Sequence, residues 1–514
     1  MSPAAGESPL DGVRAGAHHR APFMPSWAFI RESGGCAGLV ALASMLAALA
    51  SAKAEPVAGP LFAHYRLTLE PGERTEALGP FWIEQRRESE QLIAVPPLFS
   101  LTTDAATESR EFDFLYPLLT LDRYGSEYRW QLLQLLSWSG GRDQDGDRRR
   151  RFTLFPLYFQ QRGDDPADHY TALFPFYGTL RGRLLRDEIH FVLFPLYSRT
   201  RKKDVVTENY LYPVVHVRRG EGLRGWQVWP LAGREHKEVT WTTNGFGEVE
   251  VVGGHDKAFV LWPVFLDQTT GLGTTNVARL RAVLPLYSSL RSTNRDSTTV
   301  LWPLLTWTED RERGYREWDA PWPLIVFARG AGKTTSRVWP FFSHAESTNL
   351  VSEFYFWPLY KYNCFQTPAM QRERTRWLFF LYSELAEVNW ETGARRERRD
   401  LWPLWTWRRD FNGNTRLQVL APLEPVLPNN KSIERNWSPL WALWRAETNP
   451  RTGASSRSLL WNFYRSERTP DSRKCSLLFG LFQYHSDAQG RRVRLFYVPL
   501  SRAPTHSGHV SEHR

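Results

Sequence analysis

One short pattern recurs along most of this 514-residue chain: an apolar residue, an aromatic residue, Pro, Leu and a second apolar or aromatic residue. It reads LFPLY at 154–158 and 193–197, LFPFY at 173–177, LWPLL at 301–305, FWPLY at 356–360 and LWPLW at 401–405. With the Pro or its equivalent as marker, units fall at 80, 97, 117, 136, 156, 175, 195, 213, 230, 263, 285, 303, 323, 340, 358, 380, 403, 422, 439, 462, 480 and 499. Leu136, Phe380, Asn462 and Gly480 take the place of Pro. The mean step is about 20 residues, which defines a repeat architecture.

Polar, Gly-bearing stretches such as GGRDQDGD, TTGLGTTN and FNGNTR separate the apolar runs. These are strand and turn signals, and no room is left between breakers for a helix of a dozen residues. Each unit is therefore expected to be one strand of about 9–12 residues plus a connection. The fold class expected is all-β, an antiparallel up-and-down meander of about 20–22 strands, because parallel crossovers would need a dozen or more residues each. The widest step, 230 to 263, holds Asn244-Gly245, which points to an extra hairpin or a long loop. A meander of this length must close, split or wrap. Closure into an outer-membrane barrel is the leading expectation, with a propeller or a β-solenoid as alternatives. A mid-strand Pro removes a ladder donor, so the repeat must place Pro at a bend or bulge.

Residues 36–50, CAGLVALASMLAALA, form an apolar segment followed by Ser51-Ala52-Lys53-Ala54. That is the layout of a signal peptide cut before Glu55, with translation starting at Met1 or Met24. The domains expected are a leader over 1–54, a β-repeat domain over 55–500 and a polar tail over 501–514. No apolar run of about 20 residues follows residue 54, which excludes a helical membrane protein. Three Cys exclude a disulfide scaffold, and after loss of Cys36 the thiols Cys364 and Cys475 could pair or stay free. The 23 Trp, 30 Phe and 19 Tyr exclude a disordered chain. The formal charge of +10 is spread along the sequence with no nucleic-acid reader motif, so nucleic acid is not an expected partner.

Chemistry-bearing motifs are sparse. Gly330-Ala331-Gly332-Lys333-Thr334 resembles a phosphate loop, but position 327, where the pattern requires Gly, is Phe. It reads as a strand connection. Asp143, Asp145 and Asp147 alternate as in a calcium loop without its Gly and terminal Glu, and the His residues are scattered. No acid–base or nucleophile constellation emerges, so no enzyme, cofactor or metal is expected. Trp229, Trp262, Trp302, Trp322, Trp339, Trp357 and Trp402 each precede a marker Pro. Equivalent places in successive units would stack them into an aromatic ladder, suited to core or interface packing or to a sugar-binding track. The functional expectation is an exported outer-membrane β-barrel-like protein with a structural or passage role, in contact with outer-membrane lipid. The alternative is a periplasmic or secreted β-repeat scaffold that binds a polysaccharide or a protein partner.

Overall fold

The computed structural model describes residues 57–500 apart from 59–60, 143–145, 221, 244 and 246. The leader 1–54, with Cys36 and both candidate start sites, and the tail 501–514 lie outside the described residues, as do Asp143 and Asp145. The described residues belong to one unit.

The fold is an antiparallel up-and-down meander; among the described residues it is a single 44-stranded sheet in which each inner strand pairs with its predecessor and its successor in the sheet. The strand count is twice the number of units because each twenty-residue unit is a hairpin. The apolar run is not the middle of a strand; it is a turn with the ends of its two flanking strands. LFPLY at 154–158 shows this, with Arg148–Leu154 and Tyr158–Gly163 paired Leu154 to Tyr158 around Phe155-Pro156-Leu157. The stretch REWDAPWPLIVF likewise breaks at 320–324 into the strands Tyr315–Asp319 and Ile325–Gly330. Between the two-residue strands at either end, the sheet's strands are four to eight residues long, commonly six, or about 20 Å.

Placing Pro in the turn answers the donor problem, and the ladder carries on through the turns. The amide of Phe194 donates to the Pro175 carbonyl at 2.7 Å, that of Tyr212 to Pro195 at 2.7 Å and that of Trp262 to Pro230 at 2.6 Å. The peptide bond before Pro is cis at these turns. Gly330-Ala331-Gly332-Lys333 forms the hairpin connection between Ile325–Gly330 and Lys333–Val338. The extra hairpin expected after Pro230 is present, Thr240–Thr243 paired with Val249–Val252 outside the main sheet.

One connection is built differently. Pro422 and Pro439 are not hairpin turns; they lie in a 420–443 insertion holding the short helices Lys431–Asn436 and Ser438–Trp441. The strands on either side of it, Thr415–Val419 and Trp444–Asn449, still pair directly. Glu424, almost fully buried, fastens the insertion by accepting from Gln418 Nε2 at 2.7 Å and Trp441 Nε1 at 3.0 Å.

Among the described residues no ladder joins the first strand to the last: Val57–Ala58 pairs only with Phe62–Arg66, and Val498–Pro499 only with Gly490–Leu495. The ribbon is open, and its two end regions meet through side chains instead. Arg435 of the insertion reaches Glu111 at 2.7 Å, Thr102 at 2.6 Å and Asp113 at 3.3 Å, and Trp437 Nε1 donates to the Tyr116 carbonyl at 3.1 Å. Farther along, Asn462 Nδ2 donates to Glu76 at 2.6 Å and Thr68 to Ser456 at 2.7 Å.

Apolar core is small for a chain of this size. One cluster gathers Tyr170, Ala172, Leu180 and Phe191, and a second holds Ile83, Leu92 and Ala94. Much of the buried surface is short and polar, including Ser198, Thr207, Asn209, Thr299, Thr308 and Ser343. These side chains bond across neighbouring strands, Asn209 to Ser198 at 3.1 Å and Ser297 to Thr308 at 2.9 Å. Each such cross-strand pair contributes roughly 0.2–1 kcal/mol.

Candidate functional site

In an antiparallel meander alternate turns lie on the same edge, so a twenty-residue period gives the two edges different compositions. One edge carries 88–89, 203–204, 292–294, 311–314 and 469–472, which read ES, KD, STN, RERG and TPDS. The other carries the repeated motif: LYPL at 115–118, LFPL at 193–196, LYPV at 211–214, LWPL at 301–304 and FWPL at 356–359. Apart from the 420–443 insertion, every fully described turn on this second edge lacks Asp, Glu, Lys and Arg.

Side chains at these turns are open to solvent. Leu193 and Leu196 are 51% and 53% exposed, and Phe155, Leu261, Leu301, Phe341 and Phe356 are also exposed. A rim of contiguous apolar turns spaced two strands, or about 10 Å, apart is far larger than the patches monomeric proteins leave uncovered. Backbone geometry sharpens the point. Leu193, Leu211, Leu261, Leu301 and Phe356 all have φ between 46° and 50°. Gly or Asn takes that left-handed region readily, whereas another L residue loses roughly 1–2 kcal/mol. Local folding would favour Gly at these exposed corners, yet the sequence keeps a large apolar side chain.

All seven pre-Pro tryptophans lie on this edge, at the turns and not within the strands. Trp229 and Trp262 pack at 5.8 Å between ring centroids, Trp339 and Trp357 at 6.0 Å, and Trp402 against Phe380 at 5.5 Å. Trp357 also meets Phe379 at 5.4 Å. The row continues through pre-Pro residues other than Trp, Phe174 to Phe194 at 5.4 Å and Phe194 to Tyr212 at 5.7 Å. Trp302 and Trp322 stand more than half exposed, held by amide bonds to Pro285 and Pro303. The aromatic row therefore belongs to a longer apolar rim that it shares with exposed Leu and Phe side chains. Its signal lay in the Leu on either side of the Ar-Pro pair, which a reading of the run as strand centre hides.

Just behind the rim, at the end of Tyr315–Asp319, the Asp319 carboxyl is buried, and its Oδ1 has no hydrogen-bond partner. Burial, reinforced by Glu317 two residues earlier, pushes its pKa up to about 6. Glu317 is itself engaged by Lys333. Cys364 and Cys475 are both free, on Tyr360–Gln366 and Arg473–Leu477, and burial raises the Cys475 thiol.

No protein-family model matches the chain and no curated protein sequence matches it, so the two-edged ribbon has to be interpreted from its own chemistry.

Proposed function

We propose that this protein is a non-catalytic, exported scaffold that seats the apolar turn rim in the surface of a lipid leaflet, that of the outer membrane, and holds its polar edge in water. The observation that carries this reading is the Leu- and aromatic-rich edge, charge-free at every fully described turn apart from the 420–443 insertion. Leu, Phe, Trp and Tyr exposed together along one edge is the composition that partitions into the headgroup–acyl boundary. Six-residue strands support surface seating over a spanning wall, which needs about 9–11 residues per strand. The sheet faces support it too. Partly exposed strand residues carry ion pairs such as Arg201–Glu188 at 3.4 Å and Arg399–Glu384 at 2.9 Å, where a lipid-facing wall would be apolar.

Flotation with phosphatidylcholine vesicles tests the proposal. The mature chain should float with the lipid, and 1 M salt should not release it, because the attraction is apolar. A variant with Leu193→Asp, Leu196→Asp, Leu301→Asp and Leu304→Asp should stay at the bottom of the gradient with an unchanged β circular-dichroism spectrum. A wild-type chain that stays at the bottom refutes the reading. Concentration-dependent oligomers in place of flotation would assign the rim to a second copy.

The spacing and exposure of the pre-Pro rings favour a second reading, a track for an extended polysaccharide. Alanine at Trp302 and Trp322, the two most open tryptophans of the set, should abolish retention on a polysaccharide column if that reading holds, and should leave flotation nearly unchanged if lipid is the occupant.

A further inference from the structure

Where the two ends of the ribbon meet they enclose a polar cavity of about 300 Å³. Phe62–Arg66, Glu73–Ala77 and Trp82–Arg87 wall it from one side, and Thr415–Val419, Trp444–Asn449, Ala454–Leu459 and the insertion from the other. Its carboxylates are all engaged. Glu76 accepts from Tyr65 Oη at 2.8 Å, Arg74 Nε at 2.8 Å and Asn462; Glu434 pairs with Arg408 at 2.5 Å and Arg416 at 3.5 Å. Glu447 pairs with Arg416 at 3.7 Å, and Glu70 with Arg87 at 3.1 Å. Arg465 bonds Glu467 at 2.6 Å and lies over the Tyr65 ring at 3.3 Å.

Arg445 is left over. Its side chain lines the same cavity and makes no ion pair and no hydrogen bond among the described residues, and its Nε is buried without a partner. Arg74 Nη2, also at the cavity, is buried and unpartnered. Burial, with Arg74 and Arg416 nearby, pushes Arg445 down to about 10 against the opposing pull of the Glu76 carboxylate. Buried guanidinium N–H groups without acceptors are destabilising, and a bound oxyanion supplies the missing acceptors.

We propose that this cavity is a binding site for a phosphate-type oxyanion, held by the guanidinium groups of Arg445 and Arg74. The two guanidinium groups come from opposite ends of the ribbon, so a tetrahedral ion with acceptors in several directions suits them better than a planar carboxylate. The volume exceeds that of a bare ion, and the wall offers the hydroxyl groups of Ser456, Ser458 and Thr68. The ligand class is a phosphate monoester of a small polyhydroxylated molecule. This site is independent of how the rim is used.

Calorimetric titration of the full mature chain with inorganic phosphate and with glucose 1-phosphate decides the matter, with acetate at the same ionic strength as the control. Saturable binding of phosphate, tighter binding of the sugar phosphate, and no binding of acetate are expected. Arg445→Gln should weaken phosphate binding at least tenfold. Wild-type chain that binds neither phosphate compound, or Arg445→Gln that binds as the wild type does, overturns the proposal; binding of acetate as tight as phosphate overturns the phosphate assignment. Should Arg445→Gln fail to fold, hydrogen exchange on the wild type decides: phosphate slows exchange over 62–87 and 444–459 if the site is real, and leaves it unchanged if it is not.

Discussion

A buried carboxyl with an unpartnered oxygen and an acidic neighbour two residues away loses stability when it ionises. Asp319 is such a group, raised from 3.8 to about 6. A raised folded-state value means the native chain holds the proton more tightly than the unfolded chain. The associated stability is present below about pH 4 and disappears as pH rises through about 6. Asp319→Asn should therefore raise the unfolding free energy at pH 7 by about 1–3 kcal/mol and flatten the dependence of melting temperature on pH across that window, which calorimetric scans from pH 4 to 7 would check. Left-handed leucines make a second prediction at this scale. Replacing Leu193, Leu211, Leu261 and Leu301 by Gly should leave the melting temperature unchanged or raise it, by relief of about 1 kcal/mol per corner, and yet weaken vesicle flotation. Stability and binding moving in opposite directions would separate a rim kept for contact from one kept for folding.

At the scale of the element, the hairpin is the unit and the insertion is its exception. Arg435 connects the insertion to strands more than 300 residues earlier, through Glu111, Asp113 and Thr102. Arg435→Ala leaves Asp113, already buried, without that cation, and removing one partner of such a pair costs about 3–5 kcal/mol. The expected result is faster hydrogen exchange over 99–114, with exchange in a distant stretch such as 333–355 unchanged, because each strand pairs only with its sequence neighbours. The sequence made the antiparallel meander and the twenty-residue period legible, since both follow from breakers and apolar spacing. It concealed that the period contains two strands. The run LFPLY is apolar at every position and reads as a strand buried on both faces; its identity as a turn depends on φ values and on Pro carbonyl pairing that composition does not report. The insertion was hidden because Pro422 and Pro439 keep the spacing of the repeat while Asn430 caps a helix between them. The cavity was hidden for another reason: Arg74 and Arg445 stand at opposite ends of the chain, and no local pattern links them.

For the molecule as a whole, local pairing makes the sheet nearly one-dimensional, so its stability should be close to a sum of hairpin and neighbour terms. Deleting 285–302, one full period that joins Leu284 to Pro303 and restores the turn motif, should leave the β circular-dichroism spectrum per residue unchanged. Its measurable cost should fall on the meeting of the two ends, seen as faster exchange over 62–87. Among the described residues the first and last strands are two residues long, Val57–Ala58 and Val498–Pro499, and the last ends in Pro.

Parity follows from the way the meander places its turns. Gaining or losing one strand would exchange the two margins for everything downstream, setting the tryptophans and leucines where the arginines and aspartates now stand. Duplication within such a gene can survive only in even steps. Homologous chains of different size should accordingly differ by multiples of about twenty residues, with the greasy side never changing hands.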